Sequence, residues 1–363
     1  MAFRRWNRSA LVALAALSLL ISQHSPAAPP TTAPVVGLRQ NTPAVFALTN
    51  LRIVPEPGQF IEKGTIVVRD GVIEAAGADV KLPGDARVID LTGKTAYAGL
   101  IDAYGEINIA ADTTKSGAPS WNSQVTPQLD VAEHYAADDA LNGKLRTQGI
   151  TARLLAPATR VIKGQSIVVS TGQGDNSRTI LKRGVAQHFR LTVPFGAGGA
   201  SRDNYPASPM GAVALARQTL LDTEWYAKAW AAWKSDGNLP RPERNDALEA
   251  LAAVASGNQP AIIEAPSEQF FLRADRFARE FGLRTIIHGS GREYRRLNEI
   301  RATGRAVIVP VNFPQPPSVG AVEDALDASL VTLMHWDIAP ENPARLDAAG
   351  VTIALTSHGL RDP

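Results

Sequence analysis

The sequence predicts an α/β fold, a (β/α)8 TIM-like barrel preceded by a small β-sandwich. Three observations support this prediction. Strand signals alternate with helix signals from residue 99 onward, which is typical of a parallel sheet. Shorter strand signals, joined by turn residues, precede that region. The 363 residues are 45% hydrophobic and 20% charged, a composition that is typical of a protein with a globular core.

Residues 1–27 have the pattern of a secretory signal peptide. Basic residues precede an apolar run over 11–21, and small residues lead to a cleavage position after Ala27. The run is short for a bilayer span, although an N-terminal membrane anchor is the alternative. The chain has no cysteine, which excludes acylation of a lipoprotein and disulfides. We expect a periplasmic or secreted protein, with residues 28–45 as a flexible leader and no membrane contact after cleavage.

Residues 46–98 are expected to form the β-sandwich part. Alternating apolar residues over 46–54 predict a first strand. Asp70 and Gly71 separate two further strand signals and predict a hairpin, because its turn needs positive φ angles. Another strand signal covers 87–90.

Residues 99–363 are expected to form the barrel. A long Ala- and Leu-rich helix is predicted over 209–233, another begins after the capping residue Ser267, and a short one covers 343–349. Residues 331–336 fit either a strand or a loop. An open, doubly wound sheet is the alternative architecture, because the spacing of the strands does not exclude it. The strands are expected at 99–103, 151–155, 166–170, 188–193, 261–265, 285–288, 306–311 and 351–356.

The charge balance bears on the class of partner. The formal net charge is only +2, so no basic field indicates a nucleic-acid partner. We expect a small-molecule substrate if the protein is active. The sequence leaves open whether the chain forms a homo-oligomer.

Residues 99–106 contain the most informative motif, a Gly-Leu-Ile-Asp run that leads to Tyr104 and Glu106. The motif resembles the first barrel strand of the amidohydrolase superfamily, where a His-x-His pair at these two positions binds a catalytic metal. The rest of residues 46–363 is similar to secreted, imidazolonepropionase-like amidohydrolases. This similarity lies in the segments 148–158, 162–166, 206–226 and 339–357.

The resemblance implies that the site residues lie at the carboxyl ends of the barrel strands. The first-strand histidine pair corresponds to Tyr104 and Glu106, and the fifth-strand histidine corresponds to Glu264. The sixth-strand histidine falls at or next to His288, and the eighth-strand aspartate corresponds to His358. Glu106, Glu264 and His288 are therefore the implied metal ligands. His358 and Tyr104 are the implied catalytic residues.

Other positions near these strands carry further expectations. The resemblance implies a bridging Lys or Glu near the end of the fourth strand, which residues 192–196 lack. His188 is predicted to be structural and to lie at the lower end of the barrel. Asp102 is predicted to be buried and hydrogen-bonded.

Two functions are compatible with this set of residues. The first is an amidohydrolase-like hydrolase of C–N bonds in non-peptide or cyclic amides, with an altered site for a divalent metal, zinc above all. The second is a catalytically inactive binding or assembly module without a metal, in which Tyr104 fills the metal cavity and Glu106 pairs with an Arg or His. The resemblance also implies further strands beyond the eighth, so that the sandwich is expected to be incomplete at the C-terminus. Either the chain is a fragment of a longer amidohydrolase, or the remaining strands come from elsewhere.

Overall fold

A computed structural model describes residues 44–109, 117–193 and 205–360. The predicted signal peptide and nearly all of the predicted leader lie outside the described residues. Backbone contacts divide the chain into two compact units, with the boundary between Ala98 and Gly99.

The first unit is a five-stranded sheet built around its longest strand, β1. Strand β2 is antiparallel to β1, whereas β4 and β5 are parallel to its first and second halves. The order is β3-β2-β1-β4, with β5 also paired to β1. The strands are β1 (Val45–Glu56), β2 (Gln59–Arg69), β3 (Val72–Gly77), β4 (Arg87–Asp90) and β5 (Thr95–Tyr97).

The turn between β2 and β3 confirms the predicted hairpin. Asp70 and Gly71 have φ angles of 51° and 80°, and Arg69 pairs with Val72 across the turn. The predicted sandwich is not seen in the described part of this unit, where the strands form one mixed sheet. The reason is that β4 and β5 both pair with β1 and extend its sheet instead of starting a second layer.

The second unit contains two sheets. One has the order β10-β9-β7-β6 and the other has the order β15-β14-β13-β12-β11-β8. From β11 to β15 each strand is parallel to the next. The strands are β6 (Leu100–Ile107), β7 (Ile150–Pro157), β8 (Ile162–Gln165), β9 (Ile167–Ser170), β10 (Ile180–Lys182), β11 (Gln187–Arg190), β12 (Ala261–Glu264), β13 (Thr285–His288), β14 (Ala306–Pro310) and β15 (Ile353–Thr356).

Each predicted strand occurs, but the hydrogen bonding is not that of a closed ring of parallel strands. Strand β9, the predicted third strand, is antiparallel to β7, and β8 is antiparallel to β11. The chain passes from one sheet to the other at Ser166, between β8 and β9. In the described residues no backbone ladder joins β6 to β15. These strands are linked instead through the Thr356 hydroxyl, which donates to Asp102 and to the backbone oxygen of Tyr104.

Helices connect many of these strands. Within the described ranges, none of them has the combination of length and apolar composition that a bilayer crossing needs. The α-helices are α1 (Asp139–Thr147), α2 (Asn176–Thr179), α3 (Pro209–Ser235), α4 (Asp246–Ala255), α5 (Glu268–Glu280), α6 (Leu297–Thr303), α7 (Val322–Asp327), α8 (Leu330–Ile338) and α9 (Asn342–Ala348), and 3-10 turns cover Val131–Glu133, Glu293–Arg296 and Ala339–Glu341.

Helix α5 follows the predicted local signals and packs on the six-stranded sheet. The Ser267 side chain accepts a hydrogen bond from the Phe270 backbone nitrogen, and Gly282 ends the helix with a φ of 61°. Phe271 and Phe277 are buried in the main core, whereas Phe270 is only partly buried. The cap and the apolar face therefore orient the helix above the strands that carry the site.

Residues 331–336 belong to helix α8 and not to a strand or a loop. Ser329 caps this helix, since its side chain accepts a hydrogen bond from the Thr332 backbone nitrogen. Val331 and Thr332 are β-branched, and such residues favour strands, so the local pattern did not indicate a helix.

Candidate functional site

The candidate site lies at the carboxyl ends of β6, β12, β13 and β15. Tyr104 and Glu106 are two residues apart on β6 and therefore project to the same face. Glu264 and His288 end β12 and β13 and are partners in the register of that parallel pair. His358 follows β15 by two residues. The structure thus gathers all five predicted site residues into one cluster.

Tyr104 occupies the middle of this cluster and is fully buried. Its hydroxyl oxygen lies 2.9 Å from Glu106 Oε1 and 2.8 Å from Glu264 Oε1. Burial, reinforced by the charges of Glu264 and Glu106, raises the pKa of Tyr104 well above its ordinary value. The phenol therefore stays protonated at neutral pH and donates a hydrogen bond to one of the two carboxylates.

Lys163, on β8, supplies a cation between the two carboxylates. Its side chain has no solvent exposure. The Nζ atom donates to Glu106 Oε1 at 2.7 Å and to Glu264 Oε1, and it lies 3.1 Å from the Tyr104 hydroxyl. An ammonium has three donors, and these three oxygens match them. Such pairing is what allows a fully buried charge to be tolerated.

Arg190 is the second cation and ends β11. It is the register partner of Glu264, and its Nε donates to Glu264 Oε2 at 2.6 Å. Its Nη2 lies 3.4 Å from Glu106 Oε1. Burial alone would raise the pKa of Glu264, but the charges of Lys163 and Arg190 outweigh burial and lower it to about 2. Glu264 is therefore a carboxylate throughout the physiological pH range.

Two buried histidines flank the Tyr104 ring. His288 stacks on it with ring centroids 4.0 Å apart, and the His188 ring, from β11, lies 5.8 Å away. Burial lowers the pKa of each histidine to about 3, so both are neutral at pH 7. Among the described residues, neither Nε2 atom has a hydrogen-bond partner. His188 thus lies beside the central tyrosine and not at the lower end of the barrel, because it shares a strand face with Arg190.

His358 is the most accessible member of the cluster, with 34% of its side chain exposed. Its Nε2 lies 3.9 Å from Glu106 Oε2. Asp102 fixes the turn before it by accepting hydrogen bonds from the Ser357 backbone nitrogen at 3.1 Å and the Ser357 hydroxyl at 2.7 Å. The His358 backbone nitrogen donates to the Thr356 hydroxyl at 3.1 Å. The prediction that Asp102 is buried and hydrogen-bonded is confirmed.

A pocket of about 330 Å³ opens beside the cluster. Arg190, Glu264 and His288 line it together with Thr192 and Pro266. This volume is within the range of small-molecule sites. A second pocket of about 420 Å³ also reaches Glu264, but its other walls come largely from α3 and α5. The smaller pocket is the better candidate for the site, because it contacts Arg190 and His288 as well as Glu264.

The predicted metal ligands do not fit a metal ion in the arrangement that they adopt. The Oε1 atoms of Glu106 and Glu264 are both hydrogen-bonded to Lys163, and Glu264 Oε2 is bonded to Arg190. A divalent ion at these oxygens would lie against the ammonium. In the described parts of the chain, no group of three or more His, Cys, Asp or Glu side chains is arranged to hold a metal ion.

Two members of the cluster, Lys163 and Arg190, were not expected from the sequence. The resemblance implied a bridging Lys near the fourth strand, whereas the lysine comes from β8, where the chain changes sheets. Neither residue lies in an apolar run, since the two strands read Ile-Lys-Gly-Gln and Gln-His-Phe-Arg. No local pattern therefore indicated that these two charges are buried.

Comparisons with known proteins identify the fold. No protein-family profile matches the chain, and no curated protein matches its sequence. An amidohydrolase from Thermotoga maritima MSB8 superimposes with a TM-score of 0.69 and 20% identity, over 87% of this chain and 80% of its own. The protein therefore has a mixed α/β fold similar to that of this amidohydrolase.

Two further solved structures match less well. A prolidase complexed with N-methylphosphonate-L-proline gives a TM-score of 0.40 and 13% identity, over 86% of this chain and 78% of its own. A Xaa-Pro dipeptidase with bound methionine gives a TM-score of 0.34 and 10% identity, over 86% and 79%. Both TM-scores are too low to establish a shared fold.

Proposed function

We propose that the protein is a hydrolase of C–N bonds in small-molecule amides, including cyclic amides. The observation that carries this proposal is the gathering of carboxylate, imidazole and guanidinium groups at the carboxyl ends of parallel strands. At that edge, α/β folds bind their substrates. The likeness to the amidohydrolase fold agrees with the proposal, and the pocket of about 330 Å³ has room for a small amide.

In this proposal, His358 activates the attacking water. Its ring is accessible, its Nε2 lies 3.9 Å from Glu106 Oε2, and an imidazole is the side chain that most often serves as a general base. The water oxygen attacks the amide carbon as its proton moves to the imidazole nitrogen. The same proton then passes to the leaving nitrogen as the C–N bond breaks, so that the histidine returns to its initial state.

Arg190 stabilises the negative charge that develops on the carbonyl oxygen. Its side chain is 21% exposed and lines the pocket, so that it reaches both the substrate and Glu264. A fixed cation at this position lowers the energy of the tetrahedral intermediate. Lys163 and Tyr104 are buried and act as positioning residues, because they hold the two carboxylates and have no exposed surface.

The proposal can be tested with isotopically labelled water. The purified chain is incubated in H₂¹⁸O with a pooled library of N-acyl amino acids, dipeptides and lactams, and new carboxylic acids are examined for ¹⁸O by mass spectrometry. We expect labelled products with the wild type and their loss with His358→Asn. The exposed His134 provides the matched control His134→Asn. Absence of label with the wild type, or equal label with His358→Asn, would contradict the proposal.

One observation favours a second candidate function, a binding module without catalysis. Tyr104 fills the centre of the cluster, and the carboxylates of Glu106 and Glu264 are both paired with Lys163 and Arg190. A site built only to bind would retain a library member during equilibrium dialysis and leave its C–N bond intact. The same library therefore distinguishes the two functions.

The finer aspects of fold and location are also proposals. We propose that the second unit is a (β/α)8-type barrel whose third strand bends between two sheets at Ser166. The basic and apolar pattern over residues 1–27 supports export to the periplasm or the medium. The low net charge supports a small molecule as the partner and not a nucleic acid.

A further inference from the structure

The ionic charges at the centre balance each other. Lys163 and Arg190 contribute two positive charges, and Glu106 and Glu264 contribute two negative charges. Two side-chain cations thus carry the same total charge as one divalent ion.

We infer that Lys163 and Arg190 together take the place of a divalent cation, so that the chain has filled its own metal site. The Lys163 ammonium is bonded to both Glu106 Oε1 and Glu264 Oε1, which is the position of a cation shared by two carboxylates. The inference goes beyond the proposed function, because it holds whether or not the chain hydrolyses an amide.

Electrostatics explains why a metal would be rejected by the native chain. A divalent ion added to the balanced centre would leave two uncompensated positive charges in a mostly buried space, and it would be repelled by the ammonium and the guanidinium. The carboxylates would also have to release both of these partners. Binding is therefore opposed by charge and by competition for the same oxygens.

Removal of the two cations reverses this balance. Two carboxylates would then face the centre beside His288, whose Nε2 is buried without a hydrogen-bond partner in the described residues. Carboxylate and imidazole are ligands that zinc accepts. In the variant these side chains would be free to bind a metal ion, whereas in the native chain Lys163 and Arg190 occupy the two carboxylates.

The test is a titration of Zn²⁺ and Co²⁺ into the untagged chain. The proteins are the wild type, Lys163→Met, the double variant Lys163→Met/Arg190→Met, and a control in which the exposed Lys182 on β10 is changed to Met. We expect no binding by the wild type or the control, and roughly one equivalent of Zn²⁺ by the double variant. The double variant is expected to bind about tenfold more tightly than the single variant, or better, because one more repelling charge has been removed. Co²⁺ should acquire the visible absorption of a ligated ion only in the variants.

A further substitution and a folding measurement keep the test decisive. Glu264→Gln in the double variant should abolish metal binding, because it removes a ligand. If the metal-free double variant is partly unfolded, Zn²⁺ should restore its circular dichroism and raise its melting temperature. The inference is overturned if the wild type binds Zn²⁺ as tightly as the double variant. It is equally overturned if the double variant is folded without metal but binds no Zn²⁺, so that Zn²⁺ leaves its melting temperature unchanged.

Discussion

Arg190 and Glu264 lie directly opposite each other at the ends of β11 and β12, and the Arg190 Nε atom donates to Glu264 Oε2 at 2.6 Å. Both side chains also line the pocket of about 330 Å³. The pair therefore joins the buried centre to this pocket. A change to Arg190 or Glu264 would alter both the charge that a substrate meets and the ion pairs that stabilise the centre.

Lys163→Met is expected to lower the free energy of unfolding by about 3–5 kcal/mol, because it leaves two mostly buried carboxylates without their shared cation. Urea unfolding at pH 7 without added metal measures the change. Lys182→Met, on the exposed part of β10, should alter stability by no more than about 0.5 kcal/mol. Equal effects of the two substitutions would show that the Lys163 ion pairs contribute little.

The pKa of Glu264 predicts how stability depends on acid. Its folded pKa of about 2 lies below its ordinary value of 4.5, so its contribution is complete above pH 4.5 and is lost as the pH falls toward 2. The stability difference between wild type and Glu264→Gln should shrink by about 3 kcal/mol over this window. Urea unfolding of both proteins between pH 7 and pH 3 measures the change over the upper part of this pH window. A constant difference over that range would argue against the shift.

The buried histidines add a second pH dependence in a different window. His188 and His288 have folded pKa values of about 3, below the ordinary value of 6.5, so below pH 6.5 protons bind the unfolded chain preferentially. Each histidine should therefore cost about 1.4 kcal/mol of stability per pH unit between pH 6.5 and 3. His188→Leu should reduce this slope by the contribution of one histidine, about 1.4 kcal/mol per pH unit. His134→Leu, at an exposed histidine, is the control. An unchanged slope would contradict the burial argument.

Asp102→Asn tests the turn that presents His358. The change removes an acceptor of hydrogen bonds from Thr356 and Ser357, and it is expected to cost about 1–3 kcal/mol of stability. If the chain is a hydrolase, kcat should fall more than KM changes, because the turn orients the histidine. Thr356→Ser keeps the hydroxyl and should retain most of the activity. A fully active Asp102→Asn variant would show that this turn does not contribute to the reaction.

Gly164→Ala tests how the backbone positions Lys163. Gly164 has a φ of 123°, and a Cβ atom there would lie 2.5 Å from the backbone oxygen of Leu129. Strain and overlap together are expected to cost about 2–4 kcal/mol. Gly237→Ala, at a position with no neighbouring atom within 4 Å, is the matched control and should be nearly neutral. Thermal unfolding of both variants measures the effect, and similar melting temperatures would contradict it.

Local patterns were sufficient for part of the secondary structure. The Asp70–Gly71 turn needed only the preference of these two residues for positive φ, and Ser267 needed only its own side chain to begin α5. The resemblance pointed to Tyr104, Glu106, Glu264, His288 and His358, and these five side chains lie together in the structure, while their roles stay predictions. The turn and the cap could be predicted because neighbours in the chain are sufficient to determine them.

The charge pairing could not be predicted in the same way. Glu106 and Lys163 are on different strands, and the pair forms because the chain leaves the four-stranded sheet after β7 and pairs β8 with β11. His188 was predicted to be structural because the sequence does not show how close it lies to Tyr104. That distance depends on how β11 packs against β6. Such distances follow from strand order and register, which residue patterns leave undetermined.

By itself the sequence indicated the eight predicted barrel strands, the Asp70–Gly71 turn and the start of α5, since these depend on propensity and periodicity over a few residues. It also supplied the carboxylates and imidazoles that suggested a metal. Only the tertiary structure decided that Lys163 and Arg190 hold those carboxylates. The physical reason is that the partner of a buried charge is chosen by proximity in space, and strands far apart in the chain provide that proximity.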